Sequence, residues 1–162
     1  MDLSTIGFVD TATPQHVMAI RLGIAGVLGA AIGWEREHHA AAGLRTHVLI
    51  AVAACLYTLL TFEIFTSAEV AAPGRSDPIR AIEAVTAGIA FLGAGAIFQA
   101  RGSVKGLTTA AGMWLAGAVG AACALGYYGI GAMVAALAVA VLAVLRPLTQ
   151  QPKTEARETN MS

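Results

Sequence analysis

From Gly106 to Leu145 the chain runs for 40 residues without a formal charge. A water-facing element of that length would need a hydrated polar face, and this stretch has none to offer. About 20 apolar residues carry a helix across a bilayer. The run is therefore two crossings and a turn, and Gly126-Tyr127-Tyr128-Gly129 supplies the turn. Glycine interrupts a helix there, and tyrosine favours the membrane interface. Three shorter uncharged runs precede it: Leu22 to Trp34, prolonged behind Arg21 as far as Thr11; Thr46 to Phe62; and Ala84 to Ala100. Together they predict an all-α integral membrane protein, a bundle of five transmembrane helices over about 15–34, 46–65, 79–99, 107–125 and 128–146.

Composition points the same way. Charged residues make up 12% of the 162 residues and hydrophobic ones 57%, whereas a soluble domain carries about 25% charge. A disordered chain, a nucleic-acid binder with a basic face and most soluble enzymes are excluded. Ten basic and ten acidic residues cancel, so no long-range field selects a partner. The expected partners are the lipid bilayer and further copies of the chain.

The segment before the first span holds Asp2 and Asp10 and no Lys or Arg, the reverse of a signal peptide. Residues 1–14 are expected outside, and five spans then bring the C-terminus into the cytoplasm. On this orientation Arg36, Arg45, Arg101, Lys105, Arg146, Lys153 and Arg157 fall inside, against Arg21, Arg75 and Arg80 outside, a positive-inside bias. The polar stretch 147–162 reads as a disordered cytoplasmic tail.

Three charged clusters carry what remains. In the first, Gly33-Trp34-Glu35-Arg36-Glu37 is followed by Ala42-Gly43-Leu44-Arg45-Thr46-His47. It reads either as a solvated loop whose arginines set topology or as a polar lid of paired carboxylates and guanidiniums. In the second, Asp77 caps a helix that Pro78 begins, and Arg80 lies three residues from both Asp77 and Glu83. A carboxylate as deep as Glu83 favours a partner or a wet cavity over lipid. In the third, Arg101-Gly102-Ser103-Val104-Lys105-Gly106 forms a short inner turn and Thr108-Thr109 opens the fourth span. That turn either sets topology or faces Glu35 and Glu37, or an anionic headgroup.

These clusters resemble, in order, the three sequence blocks of the MgtC/SapB family of bacterial membrane proteins. The first block resembles the family's Gly-x-Glu-Arg-Glu…Gly-Leu-Arg-Thr-His signature. The second is Asp77-Pro78-Ile79-Arg80 followed by Gly88-Ile89-Ala90-Phe91-Leu92-Gly93-Ala94-Gly95, and the third is Val104 to Ala111 followed by Trp114. The likeness covers about residues 17–146. It implies a non-catalytic protein of the bacterial inner membrane, multi-pass, tied to magnesium homeostasis and, in pathogenic relatives, to virulence. Relatives of this type act on other membrane proteins. Larger relatives add a soluble cytoplasmic domain after the fifth span, so this chain reads as a short form. Ala84 and Ala90 replace a glutamine and a glycine common in the family.

Small residues spaced by four, Ala25-Gly29-Gly33 and Ala116-Gly120, together with Gly88, Gly93 and Gly95, are expected to pack helices closely within one subunit or along a dimer seam. Arg21, inside the first span, either reaches outward to the interface or pairs with Glu63 or Glu83. Cys55 and Cys123 read as small core residues. The adjacent His38 and His39 point apart on a helix and make a poor chelate, and His16 and His47 lie on opposite sides of the membrane. No cofactor is expected. Magnesium, which favours carboxylates and retained waters, has candidates in Glu35 with Glu37 and in Asp77 with Glu83, each beside an arginine. No nucleophile stands near a base. A magnesium or cation transporter using these carboxylates is the alternative function.

Overall fold

A computed structural model describes residues 11–37, 40–71, 77, 79–100 and 103–145. Five helices follow in order: α1 (Gln15–Arg36), α2 (Leu44–Ala71), α3 (Ile79–Ala96), α4 (Leu107–Ala124) and α5 (Tyr128–Val144). Each expected span has its helix. The second runs six residues beyond the expected end of its span, to Ala71. Its hydroxyls are absorbed locally: Thr58, Thr61, Thr66 and Ser67 each donate to the carbonyl four residues earlier, at 2.8–2.9 Å. Each of these hydroxyls thereby finds its acceptor inside the helix. By length and composition, α1, α2 up to Ala68 and α4 suffice to cross a membrane; α3 and α5 are shorter apolar helices.

The end of the third span needs one correction. The third helix stops at Ala96 rather than 99, and Phe98–Ala100 (β1) pairs antiparallel with Ser103–Lys105 (β2), with Phe98 opposite Lys105. Gly106 leaves this ribbon with φ +90°, and a side chain there would collide with the Ala96 carbonyl. Only glycine meets both demands cheaply. The turn before α5 is where the sequence put it, with Gly126 at φ +82° closing α4. Residues 1–10, His38, His39, Arg101 and the tail from 146 onward lie outside the described residues.

The central helix is α4. Its glycines and alanines leave backbone close to the surface on several sides, so α1, α2, α3 and α5 all pack on it. The buried core runs from Ala25 and Ile32 on α1 through Ala51, Cys55 and Leu59 on α2 to Met113, Ala116, Val119 and Cys123 on α4. Both cysteines are free and buried, as expected. Outward-facing positions are apolar and large, among them Ile20, Val27, Ile64, Phe91, Trp114 and Leu137, a surface suited to hydrocarbon. Helix α3 is the outlier, packed chiefly on α4 and only lightly on α2.

Candidate functional site

The end of α1, the start of α2 and the start of α4 meet in a polar corner. Close approach comes first. A methyl on Gly29 would lie 2.7 Å from the Ala51 Cβ and 2.8 Å from the His47 carbonyl oxygen, and one on Gly33 would lie 2.7 Å from the Leu44 Cα. Without side chains at 29 and 33, α1 lies against the first turns of α2, and the His47 ring is driven inward until it is 0% exposed. Its Nδ1 is 2.8 Å from the Gly43 carbonyl oxygen. A carbonyl only accepts, so Nδ1 carries the proton, and in the neutral ring Nε2 is a bare acceptor. That Nε2 faces α4 at Gly112, where a methyl would stand 3.1 Å away.

Charge gathers beside this ring. The Arg36 Nη2 donates to the Thr109 hydroxyl at 3.3 Å, and its Nη1 lies 4.0 Å from the Glu35 carboxylate, both side chains being 12% exposed. The Glu35 Oε2, the Arg36 Nε and the His47 Nε2 are buried without a hydrogen-bond partner among the described residues. Buried polar atoms are nearly always paired, so three open ones in one corner mark a polar site rather than a dry seam. It holds two acceptors and a cationic donor. Glu37 stands apart from it: its carboxylate accepts from the Leu44 N–H at 2.5 Å and so caps α2.

The sequence motifs therefore converge only in part. Glu35, Arg36, His47 and Thr109 come together. Thr46 is half-buried, whereas Arg45, Lys105 and Thr108 are exposed. Neither Arg45 nor Lys105 forms an ion pair with another described residue, so the lid of paired glutamates and arginines reduces to Glu35 with Arg36. The third cluster does not face Glu35 and Glu37 through Lys105; it reaches the corner through Thr109, because β2 turns Lys105 to the surface.

At the other end, Asp77 caps α3 as expected, accepting from the Ile79 N–H at 3.0 Å. Arg80 is 3.8 Å from Asp77 rather than paired with Glu83, and the pair is exposed. Arg21 contacts neither Glu63 nor Glu83. Its Nη1 donates to the Ala124 carbonyl at 2.5 Å, at the open end of α4 where unpaired carbonyls gather. Glu63 accepts from the Ala12 and Thr13 N–H groups, both at 2.8 Å, and straps the lead-in of α1 to α2. Among the candidate packing glycines, Gly29, Gly33 and Gly93 do pack, but a side chain at Gly88 or Gly95 would meet nothing within 4 Å.

Sequence reasoning missed Gly43, Gly112 and the Ala124 carbonyl as partners, whereas Gly120 packs as expected. A methyl on Gly120 would strike the Ala51 backbone; the spacing of Ala116 and Gly120 was its only visible signal. No group of three or more His, Cys, Asp or Glu side chains able to hold a metal occurs among the described residues.

Comparison with known proteins fits this arrangement of motifs. The chain is 43% identical over 136 residues to Protein MgtC of Brucella abortus, covering 83% of this chain and 53% of the relative. It is 36% identical over 131 residues to YhiD of Escherichia coli K12, covering 80% and 61%. An uncharacterized protein of Haemophilus influenzae is 32% identical over 169 residues, covering 100% of this chain and 71% of the relative. The chain thus spans about half the length of the MgtC relatives it matches. No solved structure matches it. The profile of the MgtC family matches residues 22–151, from the body of α1 past the end of α5, and the chain belongs to that family.

Proposed function

We propose that the chain is a five-span protein of the bacterial inner membrane, with its N-terminus outside and its C-terminus in the cytoplasm. In this reading it serves magnesium homeostasis or adaptation to low magnesium, without catalysis, through contacts with other membrane proteins or lipid. One observation carries the reading: of the carboxylates that a cation carrier would use, Glu37 and Asp77 are fixed to backbone amides and Glu35 lies beside a guanidinium, which leaves the exposed Glu83. Glu37 holds the Leu44 N–H, Asp77 the Ile79 N–H, Glu63 the Ala12 and Thr13 N–H groups, and Glu35 lies against Arg36. Carboxylates fixed to backbone amides and a guanidinium serve helix ends and helix packing. Magnesium would want them free and wet.

Cation transport is the second reading. Its support is the Glu35 Oε2, which has Arg36 at 4.0 Å but no hydrogen-bond donor in the buried corner, and the relative YhiD, which is named a putative magnesium transporter. Purified protein in liposomes separates the two. Magnesium uptake no greater than in protein-free vesicles, with restored growth of a magnesium-sensitive strain, supports the contact role. Uptake that disappears in Glu35→Gln refutes it. Reporter fusions after Ser162 test the orientation separately, and a periplasmic signal would overturn it.

A further inference from the structure

Between α2 and α3 lies an open cleft of about 520 Å³, walled by Leu49, Ala53 and Tyr57 on one side and Ala84, Gly88 and Leu92 on the other. It exists because α3 leans on α4 and because Gly88 presents no side chain: a methyl there would meet nothing within 4 Å. Its walls are apolar, and it opens on the face that the five-span reading turns to hydrocarbon.

Two features say what fits. The first is length. From Leu49 to Thr61 the cleft follows thirteen residues of α2, roughly 18 Å of helix, so an acyl chain entering at the Thr61 end can run along it to the midplane, roughly 15 Å below the interface, and the groove continues beyond. The second is charge. Arg80, Ala84, Gly88 and Leu92 recur every four residues, so Arg80 stands one turn above the cleft on the same face of α3. Its side chain is 84% exposed and held only by Asp77 at 3.8 Å, which leaves its guanidinium able to receive a phosphate. A groove of acyl length ending beneath an available guanidinium has the shape and polarity of a phospholipid.

We propose that the cleft between α2 and α3 seats one acyl chain of a phospholipid from the outer leaflet, with the headgroup phosphate at Arg80. The site rests on the membrane orientation proposed above, which the reporter fusions test independently.

The experiment uses the full chain in vesicles of equal phosphatidylethanolamine and phosphatidylglycerol, doped with a phosphatidylethanolamine whose acyl chain carries a mid-chain diazirine. After illumination, adducts are mapped by mass spectrometry. Adducts are expected to concentrate on Ala53 to Tyr57 and Gly88 to Leu92, above the level on the outward face of α5. Gly88→Leu places a side chain in the groove from a position where a Cβ meets nothing within 4 Å, and is expected to bring them down to that level. Gly95→Leu, equally open but outside the groove, is expected to leave them unchanged. Should Gly88→Leu fail to fold, Ala84→Leu blocks the same groove near its Thr61 end. Arg80→Gln is expected to reduce phospholipid retained through detergent washing. Adducts spread evenly over α2, α3 and α5, or unchanged in both groove-filling variants, overturn the proposal. So does ready disulfide dimerisation of Gly88→Cys in a protein that takes no adduct, which would assign the groove to a second copy of the chain.

Discussion

Replacing Gly29 with alanine should cost the bundle stability that the same change at Gly88 does not. The added Cβ at 29 falls 2.7 Å from the Ala51 Cβ and 2.8 Å from the His47 carbonyl oxygen. Carbon atoms in contact prefer about 3.5–4.0 Å, so α1 and α2 must part by roughly 1 Å. One obstacle is main chain and the other a methyl fixed to it, so neither can rotate aside. Overpacking of this kind costs about 1–3 kcal/mol. Alanine's better helix propensity returns about 1 kcal/mol, leaving a net loss of about 0–2 kcal/mol against the parent and about 1–3 kcal/mol against the same change at Gly88. At Gly88 no atom lies within 4 Å, so only the propensity gain remains and the variant should match or exceed the parent. Unfolding by sodium dodecyl sulfate in mixed micelles, followed by the fluorescence of Trp34 and Trp114, measures both. Equal midpoints for Gly29→Ala and Gly88→Ala would refute the claim that α1 and α2 meet backbone to backbone at this point.

Three further outcomes follow from the same contacts. Glu37→Ala removes the acceptor at the start of α2 and should cost about 1 kcal/mol, with Glu37→Gln retaining most of the stability in the same titration. Thr109→Val leaves the Arg36 Nη2 without its hydroxyl acceptor and should cost about 1.5–3 kcal/mol, as for other hydrogen bonds to charged groups. Thr109→Ser should restore most of that, and failure of the rescue would show that the Thr109 methyl, not the hydroxyl, matters. Gly126→Ala forces a side chain onto φ +82° and should cost about 1–2 kcal/mol. Gly126→Asn should lose less, because Asn tolerates that region, and thermal unfolding in detergent ranks the two.

The helices were legible because their charge-poor, apolar stretches show directly in composition, and every such stretch became one helix or, in the longest, two. The Asp77 cap was legible for a similar reason, since the acceptor and its position precede the helix in sequence. What stayed hidden involves backbone. Arg21 was expected to reach the interface or to pair with a carboxylate, yet it bonds the carbonyl of Ala124, an acceptor every residue possesses and no letter announces. Glu37 and Glu63 likewise took main-chain N–H groups where sequence reasoning looked for arginines. The ribbon at 98–105 was missed because three-residue strands are too short to show alternation, leaving Gly102 between them as the faint trace. The meeting of Glu35, Arg36, His47 and Thr109 depended on Gly29, Gly33 and Gly112 leaving room. Their spacing suggested close packing without saying which polar groups it would bring together.

The ribbon has a mechanical consequence. It fastens the Ala96 end of α3 to the first turn of α4, with Gly106 wedged against the Ala96 carbonyl, while the Ile79 end is restrained mainly by exposed polar contacts. A rod clamped at one end bends as a cantilever. A load applied near Arg80 would swing α3 about the ribbon as fulcrum and spread it from α2, while Arg36 and Thr109, close to the fulcrum, would scarcely move.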